Sequence, residues 1–178
     1  MKLKWPLLII LIGLPVGIYL FLQMFGENKF AIPVYYQGTI EGENEPCEYP
    51  NQTQYKVPNF LNQLDSGVLV YGMLENRVSQ TLMMNIQSFL TQSWKDRVHI
   101  LLLYTDSTVI EQNVVESTYW LNDSLNSVAR CALVLSDKKG DSTFVLCDTE
   151  RRVRGYYDIS DLEELDRLVI ETRILLEE

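Results

Sequence analysis

Two apolar stretches, Val68-Leu69-Val70-Tyr71-Gly72-Met73 and Val98-His99-Ile100-Leu101-Leu102-Leu103-Tyr104, decide how this chain reads. Each is short, nearly continuous in its hydrophobicity and contains β-branched side chains, the pattern of a strand buried on both faces. Between them Val78, Leu82, Ile86, Phe89 and Leu90 recur at helical spacing, interleaved with Gln80, Asn85, Gln87 and Gln92. One stripe of an amphipathic helix therefore faces a core. A strand, a helix and a second strand within this length imply parallel strands joined by a right-handed crossover.

Beyond this unit, Ser107 to Trp120 carries Val109, Val114, Val115 and Tyr119 and reads as a second helix, although its β-branched content lowers helical propensity. Asp123 to Arg130 adds a short helical turn, and Ala132-Leu133-Val134-Leu135 is apolar without a period that fixes its type. Thr143-Phe144-Val145-Leu146-Cys147 and Val153-Arg154-Gly155-Tyr156-Tyr157 flank a charged turn at Asp148 to Arg152, which predicts a hairpin. The closing helix has Ser160 as N-cap with Glu163 three residues later, and Asp161 and Glu164 suit its N-terminus. Leu162, Leu165, Leu168, Val169 and Leu175 supply its buried face. The order is a βαβ half followed by a ββα half. That is the order of a thioredoxin-like fold, an α/β architecture with a central mixed sheet and flanking helices.

Working toward the N-terminus, Tyr55-Lys56-Val57-Pro58-Asn59-Phe60 alternates like a short edge segment, since Pro58 cannot donate to a central ladder. Asp65-Ser66-Gly67 reads as a turn. Residues 26–54 hold Pro33, Pro46 and Pro50 with clustered Asn, Glu and Gln, and read as an extended linker. Ahead of it, Trp5 to Phe25 carries no charge. A helix rising ~1.5 Å per residue needs about 20 apolar residues to cross a hydrocarbon core of ~30 Å, so this run is long enough to span. Pro15, Gly13 and Gly17 are tolerated in such a helix. Lys2 and Lys4 precede the run, while Glu27 and Lys29 after it cancel, which orients residues 1–4 to the cytoplasm and the domain, residues 55–178, to the far side. The run exceeds the apolar region of a cleaved signal peptide and no Ala-x-Ala-like site follows it.

Composition narrows the partners. The chain has 178 residues, 47% of them hydrophobic, enough for one anchor and one packed core. A net charge of -9 repels phosphate backbones, which argues against nucleic acid. Cys47, Cys131 and Cys147 form no CxxC or metal-ligand spacing. An oxidising compartment permits one disulfide, and Cys131 with Cys147 is the candidate pair if the two flank neighbouring strands; small buried hydrophobes are an equal reading. His99 is the only histidine and sits inside an apolar strand, where a structural role is the simpler expectation. The sequence holds no Ser/His/Asp set, phosphate-cradling glycine loop or HExxH motif.

Several stretches resemble the SCO/SenC family, membrane-anchored copper and thiol proteins that assist cytochrome c oxidase assembly. Leu14-Pro15-Val16-Gly17-Ile18-Tyr19-Leu20, Phe25-Gly26-Glu27-Asn28-Lys29-Phe30 and Ile32-Pro33-Val34-Tyr35-Tyr36 are similar to the anchor and linker of those proteins. Tyr55-Lys56-Val57-Pro58-Asn59-Phe60 resembles the start of their domain. Phe144-Val145-Leu146-Cys147-Asp148, Arg154-Gly155-Tyr156-Tyr157-Asp158 and Asp166-Arg167-Leu168 resemble their closing hairpin and helix. The family holds copper with a CxxxC loop after the first central strand and a histidine before the hairpin. Here the loop is Leu74-Glu75-Asn76-Arg77-Val78-Ser79, with Glu75 and Ser79 in the cysteine positions, and no imidazole lies near Lys139-Gly140. A carboxylate and a hydroxyl lack the softness that selects Cu(I), and dithiol exchange needs a thiolate the loop does not have.

The resemblance thus implies a divergent member without the copper and dithiol ligands, and with no cofactor. It implies a non-catalytic binding or accessory module of a respiratory or assembly complex. The expected setting is the inner membrane, single-pass, with a periplasmic domain that has membrane lipid and a protein as partners. Glu75, Asn76, Arg77 and Ser79 are the candidate residues of the degenerate site. The alternative is a thiol-redox or copper-handling protein that uses Cys131 and Cys147.

Overall fold

The computed structural model describes residues 13–21, 32–38, 40, 47–49, 53–60, 67–74, 79–92, 94, 97–105, 118–123, 127–135 and 142–178. The chain divides into two units, Met1–Ala31 and Ile32–Glu178. In the first, residues 13–21 are helical, with Leu14, Val16, Ile18 and Phe21 exposed. Among the described residues no helix is long and apolar enough to cross a membrane. The expected span from Trp5 to Phe25 runs past this helix at both ends, into residues outside those described.

The second unit is built on a five-stranded sheet in the order β3-β2-β1-β4-β5. Strand β1 (Val68–Leu74) leads through helix α1 (Gln80–Leu90) to β2 (Val98–Tyr104), its parallel neighbour, with Val68 opposite Val98 and Leu74 opposite Tyr104. The parallel pairing expected of two buried apolar runs around an amphipathic helix is thereby present. On the other side of β1 lies the hairpin of β4 (Thr143–Cys147) and β5 (Val153–Asp158), both pairings antiparallel. The closing helix α2 (Leu162–Leu175) follows.

Three expectations change. The stretch from Ser107 to Trp120 does not end as a helix: Thr118–Asn122 is strand β3, parallel to β2, with Leu102 opposite Trp120. The Thr-Tyr-Trp segment favours the pleated edge position that a half-buried strand offers; residues 107–117 lie outside those described. The N-cap of α2 is Asp161, whose carboxylate accepts from the Glu163 amide at 2.9 Å, and not Ser160. Ser160 is committed upstream, donating its hydroxyl to Asp158 at 2.6 Å. Finally, the compact unit begins well before Tyr55. Ile32 is buried, its carbonyl accepts from Arg154 at 2.9 Å, the Tyr35 amide donates to the Val153 carbonyl, and Gln37 forms an antiparallel bridge with Gln54. The described part of the expected linker is therefore docked chain.

Alternation across the sheet divides the core in two. On one face Val70, Leu74, Ile100, Leu102, Phe144 and Leu146 pack against Leu82, Ile86 and Phe89 of α1 and Leu165, Leu168 and Leu175 of α2. On the other, Tyr71, Leu101, Leu103, Val145 and Cys147 are covered by Tyr55, Val57 and the segment Ala129 to Leu135. Among the described residues, both long helices thus lie on one face, and docked chain with a π-helical turn, Val128–Ala132, covers the other.

Candidate functional site

Register fixes which strand ends share one end of the sheet. Because β4 runs antiparallel to β1, with Gly72 opposite Phe144, the C-terminal end of β1 and the N-terminal end of β4 share an edge of the molecule. Leu74 and Ser79, which bracket residues 75–78, belong to that end, as does Ser142 ahead of β4. Glu75, Asn76 and Arg77 lie outside the described residues, as does Lys139-Gly140. Ser79 is described, and its role is local: it is the N-cap of α1, its hydroxyl oxygen accepting from the Leu82 amide at 3.1 Å. That bond satisfies an orphan helix donor. At the same end Asp158 accepts from the hydroxyls of Ser142 and Ser160, and these bonds hold its carboxyl below the usual carboxylate range.

All three cysteines are described, and none stands at that end in a reactive form. The expected pairing of Cys131 with Cys147 is corrected: Cys47 and Cys131 form the disulfide, with Cα atoms 5.3 Å apart across a sequence separation of 84. Cys147 is on β4 opposite Leu69, toward the start of β1, and its side chain is sealed in the sheet core. Burial pushes its thiol well above the ordinary range, and the neighbouring Asp148 carboxylate adds to the effect. A thiol that keeps its proton at neutral pH is neither a nucleophile nor a metal ligand. His99 packs beside the main chain: a Cβ on Gly67 would lie 2.7 Å from its ring, and Gly67 has φ of +147°. Among the described residues, no group of three or more His, Cys, Asp or Glu is arranged to hold a metal.

Two clefts remain. One, of about 560 Å³, lies at the opposite end of the sheet, between the β4–β5 turn and the end of α2, lined by Gly67, Arg97, Asp148, Arg152 and Glu178 among others. Its acidic groups are paired with arginines, while Arg97 donates to the Leu176 carbonyl at 2.9 Å. Burial alone would push Asp148 up, but the Arg152 amide and the Arg154 and Arg152 guanidiniums hold its carboxyl below the usual range. Arg154, nearly fully buried, also meets Glu178 and the Ile32 carbonyl, tying the two ends of the unit together. The second cleft, of about 310 Å³, lies between Glu48 and Tyr49 on one side and Ser127, Val128, Cys131 and Ala132 on the other, with Tyr55, Pro58 and Phe60 in its lining. No sequence pattern points to it, because the disulfide that joins its walls is a long-range pairing.

No protein-family model matches the chain, and no curated protein sequence matches it. Solved structures do. BsSco, a member of the Sco family of cytochrome c oxidase assembly proteins, is 12% identical, with 68% of this chain and 94% of that one covered at a TM-score of 0.52. A SCO1/SenC family lipoprotein from Bacillus anthracis is 12% identical over 64% of this chain and 83% of that one, TM-score 0.48. A peroxiredoxin-like protein from Aquifex aeolicus is 12% identical over 62% and 72%, TM-score 0.46. The structural neighbours thus include SCO1/SenC family proteins, and the likeness to BsSco shows the thioredoxin-like fold.

Proposed function

We propose that this chain is a membrane-tethered, extracytoplasmic module that binds a protein partner of a respiratory or assembly complex and performs neither copper nor dithiol chemistry. The observation that carries this reading is the fate of the thiols. Two are consumed in a disulfide beside the docked N-terminal segment, and the third is buried on β4 level with the start of β1. The loop after β1, where the resembled family keeps its dithiol, contains a carboxylate and a helix-capping hydroxyl instead. The disulfide favours an oxidising compartment, and the uncharged run from Trp5 to Phe25 supplies the tether.

Such a module works by complementarity. Glu75 and Arg77 carry opposite charges two residues apart in the sequence that follows β1, and charges of this kind steer association and fix register. The test is co-purification from native membranes with the respiratory complex. Glu75→Lys combined with Arg77→Glu reduces recovery of that complex about tenfold, on the order of one lost charge pairing. Cys147→Ala leaves recovery unchanged in protein that remains folded. Full recovery with the loop reversed, and its loss in folded Cys147→Ala, overturns the reading.

A further inference from the structure

The two helices that cover the first face of the sheet differ in kind on their outer surfaces. The exposed side of α2 carries Glu163, Asp166, Arg167 and Arg173, as a solvated helix does. The exposed side of α1 is formed by Gln80, Thr81, Met84, Gln87 and Ser88 with the C-cap Thr91, and it carries no charge. From Val78 to Trp94 the sequence has no Asp, Glu, Lys or Arg, where the chain's charged fraction of 22% would place about four. A surface kept only for contact with water carries charges, so this one has another use. Met84 stands at its centre, 62% exposed. At ~3.6 residues per turn, Gln80, Met84, Ser88 and Thr91 form one row along the helix.

Chemistry narrows what this row meets. A membrane surface takes up helices that set basic residues beside several large apolar ones, and this face has no Lys or Arg and one large apolar side chain. A second copy of the chain fits better. Two chains of net charge -9 repel where charged surfaces meet, and of the two helices on the sheet α1 is the one along which they approach without facing like charges. Depletion of charge around an exposed methionine is also the composition of an interface core. The row complements itself: across a two-fold axis level with Ile86, antiparallel helices set Met84 against Ser88 of the second copy and Thr81 against Thr91, so that a long side chain meets a short one. A helix of 11 residues is about 16 Å long, so the contact is smaller than a permanent dimer needs and forms reversibly.

We propose that the exposed face of α1 is the contact through which two copies of this chain associate, antiparallel and reversibly. This goes beyond the binding reading above and does not depend on it, since it needs neither the sequence after β1 nor a respiratory partner.

The experiment uses the full-length protein in mild detergent. A chain with Met84→Cys and a differently tagged chain with Ser88→Cys are mixed at rising concentration and joined by a short bismaleimide. Cys47 and Cys131 are bonded to each other and Cys147 is sealed in the core, so the introduced thiols carry the reaction. Crosslinked pairs of unlike tag rise with concentration and exceed several-fold those from chains with Asp166→Cys, an exposed position on α2. Adding Gln80→Glu with Gln87→Glu to both chains, isosteric changes at exposed positions, lowers the yield about tenfold. Opposite charges restore it, when one chain carries the two glutamates and the other Gln80→Lys with Gln87→Lys. Thermal unfolding shows every variant folded, because these substitutions place good helix formers on an exposed face. A yield no higher than that of Asp166→Cys, no dependence on concentration, no effect of glutamate on both copies, or no recovery with opposite charges would each overturn the proposal.

Discussion

Cys147 shows at the scale of one residue why a thiol in this chain is inert. The side chain is fully buried among Tyr71, Val145 and Val153, so its charged form is penalised and its pKa is raised. The folded protein then keeps a proton that the unfolded chain releases above the ordinary thiol value of 9.0. Stability is fully present below that value and is lost as the pH rises beyond it, by about 1.4 kcal/mol per pH unit for each such group. Tyr55 and Tyr71, also pushed up by burial, join the loss at higher pH. Urea unfolding across the alkaline range checks this: the stability gap between wild type and Cys147→Ala narrows by about 1.4 kcal/mol per unit above the thiol value. A constant gap means the thiol ionises equally in both states. The pairing of the other two cysteines was not legible in the sequence, since 84 positions of separation carry no local pattern. Ser160 was misread for a different reason: Asp158 captures its hydroxyl, and the cap passes one residue on to Asp161. That residues 74–79 contain neither cysteine nor histidine is read directly from the sequence.

At the scale of elements, hydrophobic continuity decided what could be read. The strands β1, β2 and β4 are apolar runs buried on both faces, and such runs stand out without any period, while β5 was marked by the charged turn before it. Strand β3 did not, because an edge strand with Tyr119 exposed and Trp120 half-buried has neither a continuous run nor strict alternation. Its β-forming Thr-Tyr-Trp composition was the available signal. The docked segment from Ile32 was missed because its attachments are backbone hydrogen bonds and one buried arginine, to which hydrophobic patterning is blind. The central position of β2 carries a direct consequence. Leu102 is fully buried, paired between Gly72 and Trp120 and packed in the helix-covered core. Leu102→Asp places an uncompensated charge there and costs on the order of 3–5 kcal/mol. Chemical denaturation of a fragment from Ile32 to Glu178 measures it; a loss below about 1 kcal/mol, within the range of surface substitutions, would mean that β2 is not interior.

Across the whole molecule, the disulfide does the work that a small domain otherwise asks of a larger core. Closing a loop of 84 residues removes roughly 4–5 kcal/mol of unfolded-state entropy in the chain-entropy account. It draws the docked N-terminal segment to the second face of the sheet, where the described residues include no long helix. The buried Arg154 repeats the device at the other end, joining the carbonyl of Ile32, the turn carboxylate of Asp148 and the side chain of Glu178. The cysteines of this thioredoxin-like sheet lie in a strap and a sealed core, and the sequence from Leu74 to Ser79 after β1 holds none. The central claim of the proposed function is that the described residues of the folded chain offer no soft-metal site. The direct measurement is a Cu(I) titration of the full-length protein, as isolated, against a colorimetric chelator, with thiols counted in the same samples. The account predicts that the chelator keeps its copper and that no thiol reacts before reduction or unfolding. One Cu(I) withdrawn per folded chain would contradict it.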